Sequence, residues 1–178
     1  YNMQKKEKKL TTPVLTFNFL RYFNKLKLNT KTYLEIGAGD STIYFSKKFK
    51  HVTSFENTSV WLDKINKKKL KNVDLISFNK NNFNNLLKKE LDKKPDYVMI
   101  DSDPHYISRF DIAKFIHFNK KNNCTILLDN GTGNMQAFMF LRNNYYCMDF
   151  PGKNKWNEDT VTSIFFTEKN NQSLWVLL

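Results

Sequence analysis

Apolar and polar positions along this chain repeat with two periods, and the periods take turns. Residues 13–27, PVLTFNFLRYFNKLK, carry apolar side chains at helical spacing with a proline in the first turn, which predicts a helix. Short apolar runs then alternate with amphipathic stretches. Thr32–Ile36, His51–Glu56, Val73–Phe78, Asp96–Asp101 and Cys124–Asp129 read as strands. Ser41–Phe49, Val60–Leu70, Phe83–Leu91, Ile107–Asn119 and Met135–Asn143 read as the helices that follow them. Strand-then-helix repeated at this spacing predicts a parallel sheet with helices on both faces. The ending breaks the pattern. Tyr145–Phe150 and Val161–Thr167 are strand-like with no helix between them, and the intervening PGKNKWNEDT is rich in turn formers. An antiparallel hairpin at one edge of the sheet is expected there.

Length and composition place this pattern in one globular domain: 178 residues, 40% hydrophobic and 26% charged. Residues 1–30 form a polar, basic lead-in with the first helix, and 31–178 the α/β domain proper. The apolar runs, such as Leu174–Leu178, are too short to span a bilayer, so no membrane partner is expected. No secretory signal is visible, although the chain opens on Tyr1, so a further upstream segment is the expectation. Cys124 and Cys147 fall in strand segments and read as buried free thiols, which suits a reducing, cytoplasmic setting.

The formal charge of +12 raises the question of nucleic acid. The chain has 26 Lys, 23 Asn and three Arg (Arg21, Arg109, Arg142), a pattern of adenine-rich coding bias. A surface built for phosphate or base contacts uses more of the planar arginine fork. The lysines are scattered over Lys5–Lys9, Lys47–Lys50, Lys67–Lys71 and Lys88–Lys94, where helix faces and ends are expected. They read as a solvated surface, with nucleic-acid binding the minority reading.

The sharpest motif is Tyr33-Leu34-Glu35-Ile36-Gly37-Ala38-Gly39-Asp40-Ser41-Thr42, an apolar strand running into Glu-x-Gly-x-Gly and a helix. The two glycines permit a tight turn and keep Cβ atoms out of the way of a ligand lying on the backbone, and Asp40 or Ser41 caps the helix. The third glycine of the dinucleotide fingerprint is missing, so the pyrophosphate that fingerprint serves is not expected. Glu56, at the tip of the next strand, is placed to accept ribose hydroxyls, as in any nucleoside-binding fold of this kind.

This stretch, with the Val52-Thr53-Ser54-Phe55-Glu56 strand and the order of elements over roughly residues 30–167, resembles the class I S-adenosylmethionine-dependent methyltransferase superfamily. The resemblance implies a Rossmann-like methyltransferase fold of five parallel strands closed by a C-terminal hairpin. It further implies S-adenosylmethionine as cofactor, with Glu35, Gly37, Gly39 and Ser41 about its amino-acid part, Glu56 on the ribose and Asn79 near the adenine. A bare turn is the alternative account of Gly37 and Gly39.

The fourth strand delivers Asp101-Ser102-Asp103-Pro104-His105-Tyr106 to the same sheet edge, and the fifth delivers Asp129-Asn130-Gly131. Here the chain is similar to metal-dependent, catechol-type O-methyltransferases. That likeness implies Asp101, Asp129 and Asn130 as oxygen ligands of Mg²⁺, which would acidify an acceptor hydroxyl. Where relatives keep a lysine base stands Pro104, so Asp101 and His105 become the catalytic candidates. The alternatives stay open: an Asp at a strand end often caps a loop, and Asn130-Gly131 is a turn signal by itself. His51 and His117 read as structural, and Trp61 as a helix residue packed on the sheet.

The expected activity is therefore methylation of an oxygen on a small-molecule acceptor. Asp103-Pro104-His105-Tyr106 also resembles the D/N-P-P-Y motif of methyltransferases acting on nucleic-acid bases, displaced two residues from the strand. A non-catalytic, cofactor-binding subunit is the third reading. Room for an acceptor-recognition cap exists only in the first 30 residues and the Pro151–Thr160 loop.

Overall fold

The computed structural model describes residues 12–103 and 106–167, so the expectation for the lead-in at residues 1–11 lies outside the described residues. Helix α1 (Phe17–Phe23) precedes β1 (Thr32–Ile36), α2 (Asp40–Phe45), β2 (His51–Glu56), α3 (Ser59–Asn66) and β3 (Val73–Ser77). Then come α4 (Phe83–Asp92), β4 (Tyr97–Ile100), α5 (Arg109–Asn119), β5 (Thr125–Leu128), a 3₁₀ turn (Gly131–Asn134), α6 (Met135–Asn144), β6 (Tyr146–Lys153) and β7 (Asp159–Phe166). The seven strands make one sheet in the order β3-β2-β1-β4-β5-β7-β6. β1 to β5 run parallel, β7 pairs antiparallel with β5, and β6 antiparallel with β7. The order reverses between β1 and β4, where open α/β sheets form their ligand crevice.

Strand alternation sorts the core into two layers. Leu34, Ile36, Val98, Ile100, Ile126 and Leu128 pack with α4, α5 and α6 residues such as Leu87, Ile112 and Leu141. Tyr33, Met99, Leu127 and Ile164 turn to the other face and pack with Phe19 and Phe23 of α1 and Phe45 of α2. Parity has a consequence for Glu35: it shares the face of Tyr33, under α2.

Two boundaries differ from expectation. The first helix starts at Phe17 rather than in the turn after Pro13, because Thr16 is fixed in extended conformation as its N-cap. The Thr16 amide donates to Thr162 Oγ1 (3.1 Å), and its hydroxyl donates to the Phe150 carbonyl (2.9 Å), so the helix start is stitched to the hairpin. The hairpin strands are also longer than expected. Pro151 and Gly152, read as a turn, continue β6 opposite Val161 and Thr160. β6 is the edge strand, where a proline's missing N–H costs the ladder nothing.

No helix among the described residues is long and apolar enough to cross a membrane. Cys124 and Cys147 are free thiols, the first buried just ahead of β5 and the second half-buried in β6. Leu127 is fully buried at the centre of the sheet. Leu127→Ala should lower unfolding stability by about 3 kcal/mol, read as an earlier urea midpoint at unchanged slope.

Candidate functional site

A cleft of about 620 Å³ opens over the β1/β4 switch point and is bordered by Gly37–Ser41, Glu56–Thr58, Asp101–Asp103, Asp129 and the tip of the β6–β7 hairpin. Its floor is the loop after β1. The amides of Gly37 and Ala38 both donate to the Phe55 carbonyl (3.0 Å each), and Asp101 N donates to Ile36 O (2.9 Å), locking the ends of β1, β2 and β4 together. The two glycines do different jobs. Gly37 has φ +104°, and a Cβ there would strike the Asp101 carbonyl backbone. Gly39 is extended (φ −169°), and a Cβ there would meet only Ser41 Oγ at 3.9 Å and the Trp61 ring at 4.0 Å. Packing therefore requires glycine at 37. At 39 it leaves an open stretch of backbone in the cleft wall.

Glu35, expected at the ligand, does not line the cleft. It is fully buried beneath α2, where the hydroxyls of Thr42 and Ser54 donate to its Oε2, the latter at 2.8 Å. Burial raises its pKa to about 7 against these hydroxyl bonds, and the charge of Asp101 adds to the rise. Its place is structural: it joins β1, β2 and α2 under the glycine loop. Asn79 lies just past β3. It is exposed, and its Oδ1 accepts from the amides of Asn81 (2.9 Å) and Asn82 (3.1 Å), which starts the turn into α4; Phe78 lines the cleft instead.

Glu56 does line the cleft and is buried. Its Oε1 accepts from Asn57 N, Thr58 N and Thr58 Oγ1, each at 2.8 Å, which leaves Oε2 for a ligand. Beside it the Asn57 Nδ2 is buried with no acceptor among the described residues. A buried donor without a partner is uncommon and marks a place where an outside acceptor belongs. Ser41 is buried in the same wall.

At the ends of β4 and β5 the organising group is Arg109, the first residue of α5 and nearly buried. Its Nε donates to Ser102 O (2.9 Å), its Nη1 to Asp129 O (2.7 Å) and its Nη2 to Asp101 Oδ1 (3.0 Å). Burial pushes the Asp101 pKa up while Arg109 opposes the rise. Asp129 Oδ1 accepts from Thr162 Oγ1 (2.9 Å). Burial and then the Asp101 charge raise the Asp129 pKa to about 7.

This arrangement does not fit the Mg²⁺ site expected from Asp101, Asp129 and Asn130. The guanidinium already brings a positive charge to Asp101, where it would repel an added cation. Asn130 is in the left-handed conformation, and its Oδ1 accepts from Gly133 N (3.3 Å) and Thr160 Oγ1 (3.3 Å), so the Asn-Gly pair is turn chemistry. Among the described residues no group of three or more His, Cys, Asp or Glu is arranged to hold a metal. Pro104 and the catalytic candidate His105 lie outside the described residues. The sequence reading missed Arg109, although an arginine in a chain with 26 lysines and three arginines was itself a signal.

No family model matches the chain, and no curated protein is detectably similar to it in sequence. Solved structures are similar. The O-methyltransferase from Bacillus cereus in complex with SAH aligns at TM-score 0.68 and 14% identity, over 85% of this chain and 80% of that one. The O-methyltransferase TomG from Streptomyces achromogenes in complex with SAM aligns at 0.59 and 14%, over 91% and 80%. An rRNA methylase from Streptococcus thermophilus aligns at 0.56 and 12%, over 83% and 92%. The chain has the Rossmann-like fold of these methyltransferases, five parallel strands closed by a C-terminal hairpin.

The two glycines differ in what packing asks of them. Gly37→Ala should destabilise the fold, with a melting temperature lower by several degrees, while Gly39→Ala should leave it within a degree or two. A pH prediction follows from Glu35 and Asp129. Both carboxyls hold their protons up to about pH 7 when folded but release them near 4 when unfolded. The folded state therefore binds more protons between those values, and stability should fall as pH rises from about 4.5 through 7. Glu35→Gln should flatten that decline in urea titrations at successive pH values.

Proposed function

We propose that the chain is an S-adenosylmethionine-dependent methyltransferase whose acceptor is an oxygen of a small molecule. The observation that carries this reading is Gly39: a glycine the protein's own packing does not need, in a cleft wall beside a spare carboxylate oxygen on Glu56 and a partnerless donor on Asn57. Those groups suit a nucleoside that lays its amino-acid part over the glycine loop and its ribose against Glu56. The solved O-methyltransferases of the same fold, crystallised with SAH or SAM, support the choice of nucleoside. When bound, the cofactor supplies an electrophilic methyl group on a sulfonium.

The residues of the chain would do the rest. With Asp40 and Asp101 offset by Lys155 and Arg109, Glu56, Asp103, Asp129 and Glu158 still give the cleft an acidic wall, which favours a cationic cofactor and disfavours a polyphosphate strand. This weighs against the nucleic-acid reading in spite of the overall charge. Asp129 is oriented by Thr162 through Oδ1 and by the Asn130 backbone, and it lines the cleft, where it would take a proton coming off an acceptor hydroxyl. Arg109 holds the backbone of Ser102 and Asp129 in place and neutralises Asp101, so the two acids are unequal partners. Displacement at a methyl group needs alignment more than covalent help, and a rigid pair of strand ends provides it.

SAH at a hundred times its dissociation constant should stabilise the chain by about 2.7 kcal/mol through mass action, while NAD should not shift the melting temperature. Glu56→Ala should remove most of that shift with the fold intact. Stabilisation by NAD alone would sink the reading. In turnover on a hydroxylated acceptor, Asp129→Asn should cost roughly 10²- to 10⁴-fold with SAH affinity unchanged. The rate should rise as pH passes through about 7, where Asp129 loses its proton. A chelator should leave the rate as it was, and loss of activity in EDTA restored by Mg²⁺ would overturn the metal-free account.

A further inference from the structure

We propose that Lys155, at the tip of the β6–β7 hairpin, is a carboxylate-binding residue that grips an acidic group of a ligand lying over the glycine loop. The tip is built to hold this side chain in the cleft. Asn154, 3% exposed, accepts from Trp156 N (2.9 Å) and Glu158 N (3.1 Å) on Oδ1 and donates from Nδ2 to Glu158 Oε2 (2.9 Å). The turn is closed by its backbone bond to Glu158 O (3.1 Å). Lys155 then reaches inward with 8% of its side chain exposed, to 2.7 Å from Asp40 Oδ2.

The pairing leaves charge to spare. The other oxygen of Asp40 accepts from Lys64 Nζ at 2.9 Å, so one carboxylate faces two ammonium groups. Of the three donors on Lys155, Asp40 is the acceptor described for one. Elsewhere the cleft is acidic. Arg109, the other cation in its wall, already has Nε, Nη1 and Nη2 bonded. A ligand carboxylate therefore has one favourable position, beside Lys155 and over the Cβ-free face of Gly39, where it would restore neutrality around Asp40. Asp40, still paired with Lys64, tolerates sharing Lys155. Burying a lysine is costly without a charge partner, and pairing it with an already compensated acid leaves it available.

This inference rests on the cofactor reading only for the source of the carboxylate: the α-carboxylate of the cofactor, or an acid group on the acceptor. Calorimetric titration of the full chain distinguishes them, using SAH, its decarboxylated analogue and benzoate, with Lys155→Met and Lys155→Arg beside the wild type. If the cofactor supplies the group, the wild type should prefer SAH to the decarboxylated analogue by tenfold or more. Lys155→Met should erase that preference by weakening SAH alone, and Lys155→Arg should keep most of it. If the acceptor supplies it, benzoate should bind the protein saturated with the analogue and lose tenfold or more in Lys155→Met. Equal weakening of SAH and analogue in Lys155→Met would make Lys155 a hairpin anchor and overturn the proposal, as would affinities for all three probes that ignore the substitution. A wild type that binds neither nucleoside overturns the cofactor reading instead, and benzoate on the free protein then decides for or against Lys155.

Discussion

The guanidinium of Arg109 ties Ser102, Asp101 and Asp129 into one rigid edge, and the cleft depends on that tie. Parallel strands end in carbonyls and loops with no intrinsic reason to hold a fixed spacing. A buried arginine with donors in three directions gives them one. It also decides the electrostatics. Burial raises the pKa of both carboxylates, the Asp101 charge adds to the rise at Asp129, and a single guanidinium beside Asp101 makes the pair asymmetric. Arg109 opposes the rise that burial imposes on Asp101, whereas at Asp129 it meets the backbone carbonyl rather than the carboxylate.

The other half of the cleft depends on backbone proximity. Gly37 lets β1 turn against the Asp101 carbonyl, and from that turn Gly39 emerges with an open face. Below it Glu35, held by hydroxyls from β2 and α2, replaces apolar packing with a polar knot. Above it the hairpin tip closes the mouth through Lys155 and Asp40. The N-terminal helix is stitched to the same hairpin through Thr16, Thr162 and Phe150, and Thr162 also orients Asp129. One strand, β7, thus serves the core, the hairpin and the acid.

Much of this was legible in the sequence because it is local. Short apolar runs alternating with amphipathic stretches marked the five parallel strands, the helix-free ending marked the hairpin, and Glu-x-Gly-x-Gly marked the turn at the switch point. Pro151-Gly152 misled because turn chemistry cannot tell a loop from an edge strand. Glu35 was read as facing a ligand although its parity with Tyr33 already put it under α2. Asn79 was read by position in a resembling fold, and its Oδ1 accepts from the amides of Asn81 and Asn82 at the turn into α4. Asp101, Asp129 and Asn130 do converge on one edge as expected, yet what stands beside the first of them is an arginine eight residues downstream. That relation exists only in three dimensions.

The central claim is that the space over Gly39, bounded by Glu56 and Asn57, is where a nucleoside cofactor lies. Heteronuclear NMR of the full chain titrated with SAH tests it directly. The account predicts saturable shifts concentrated on the Gly39 amide and the Asn57 side-chain Nδ2 group, with the far end of the sheet at Asp96 and His51 undisturbed. Saturable shifts confined to residues away from the glycine loop, or none at millimolar SAH in a folded chain, would contradict it.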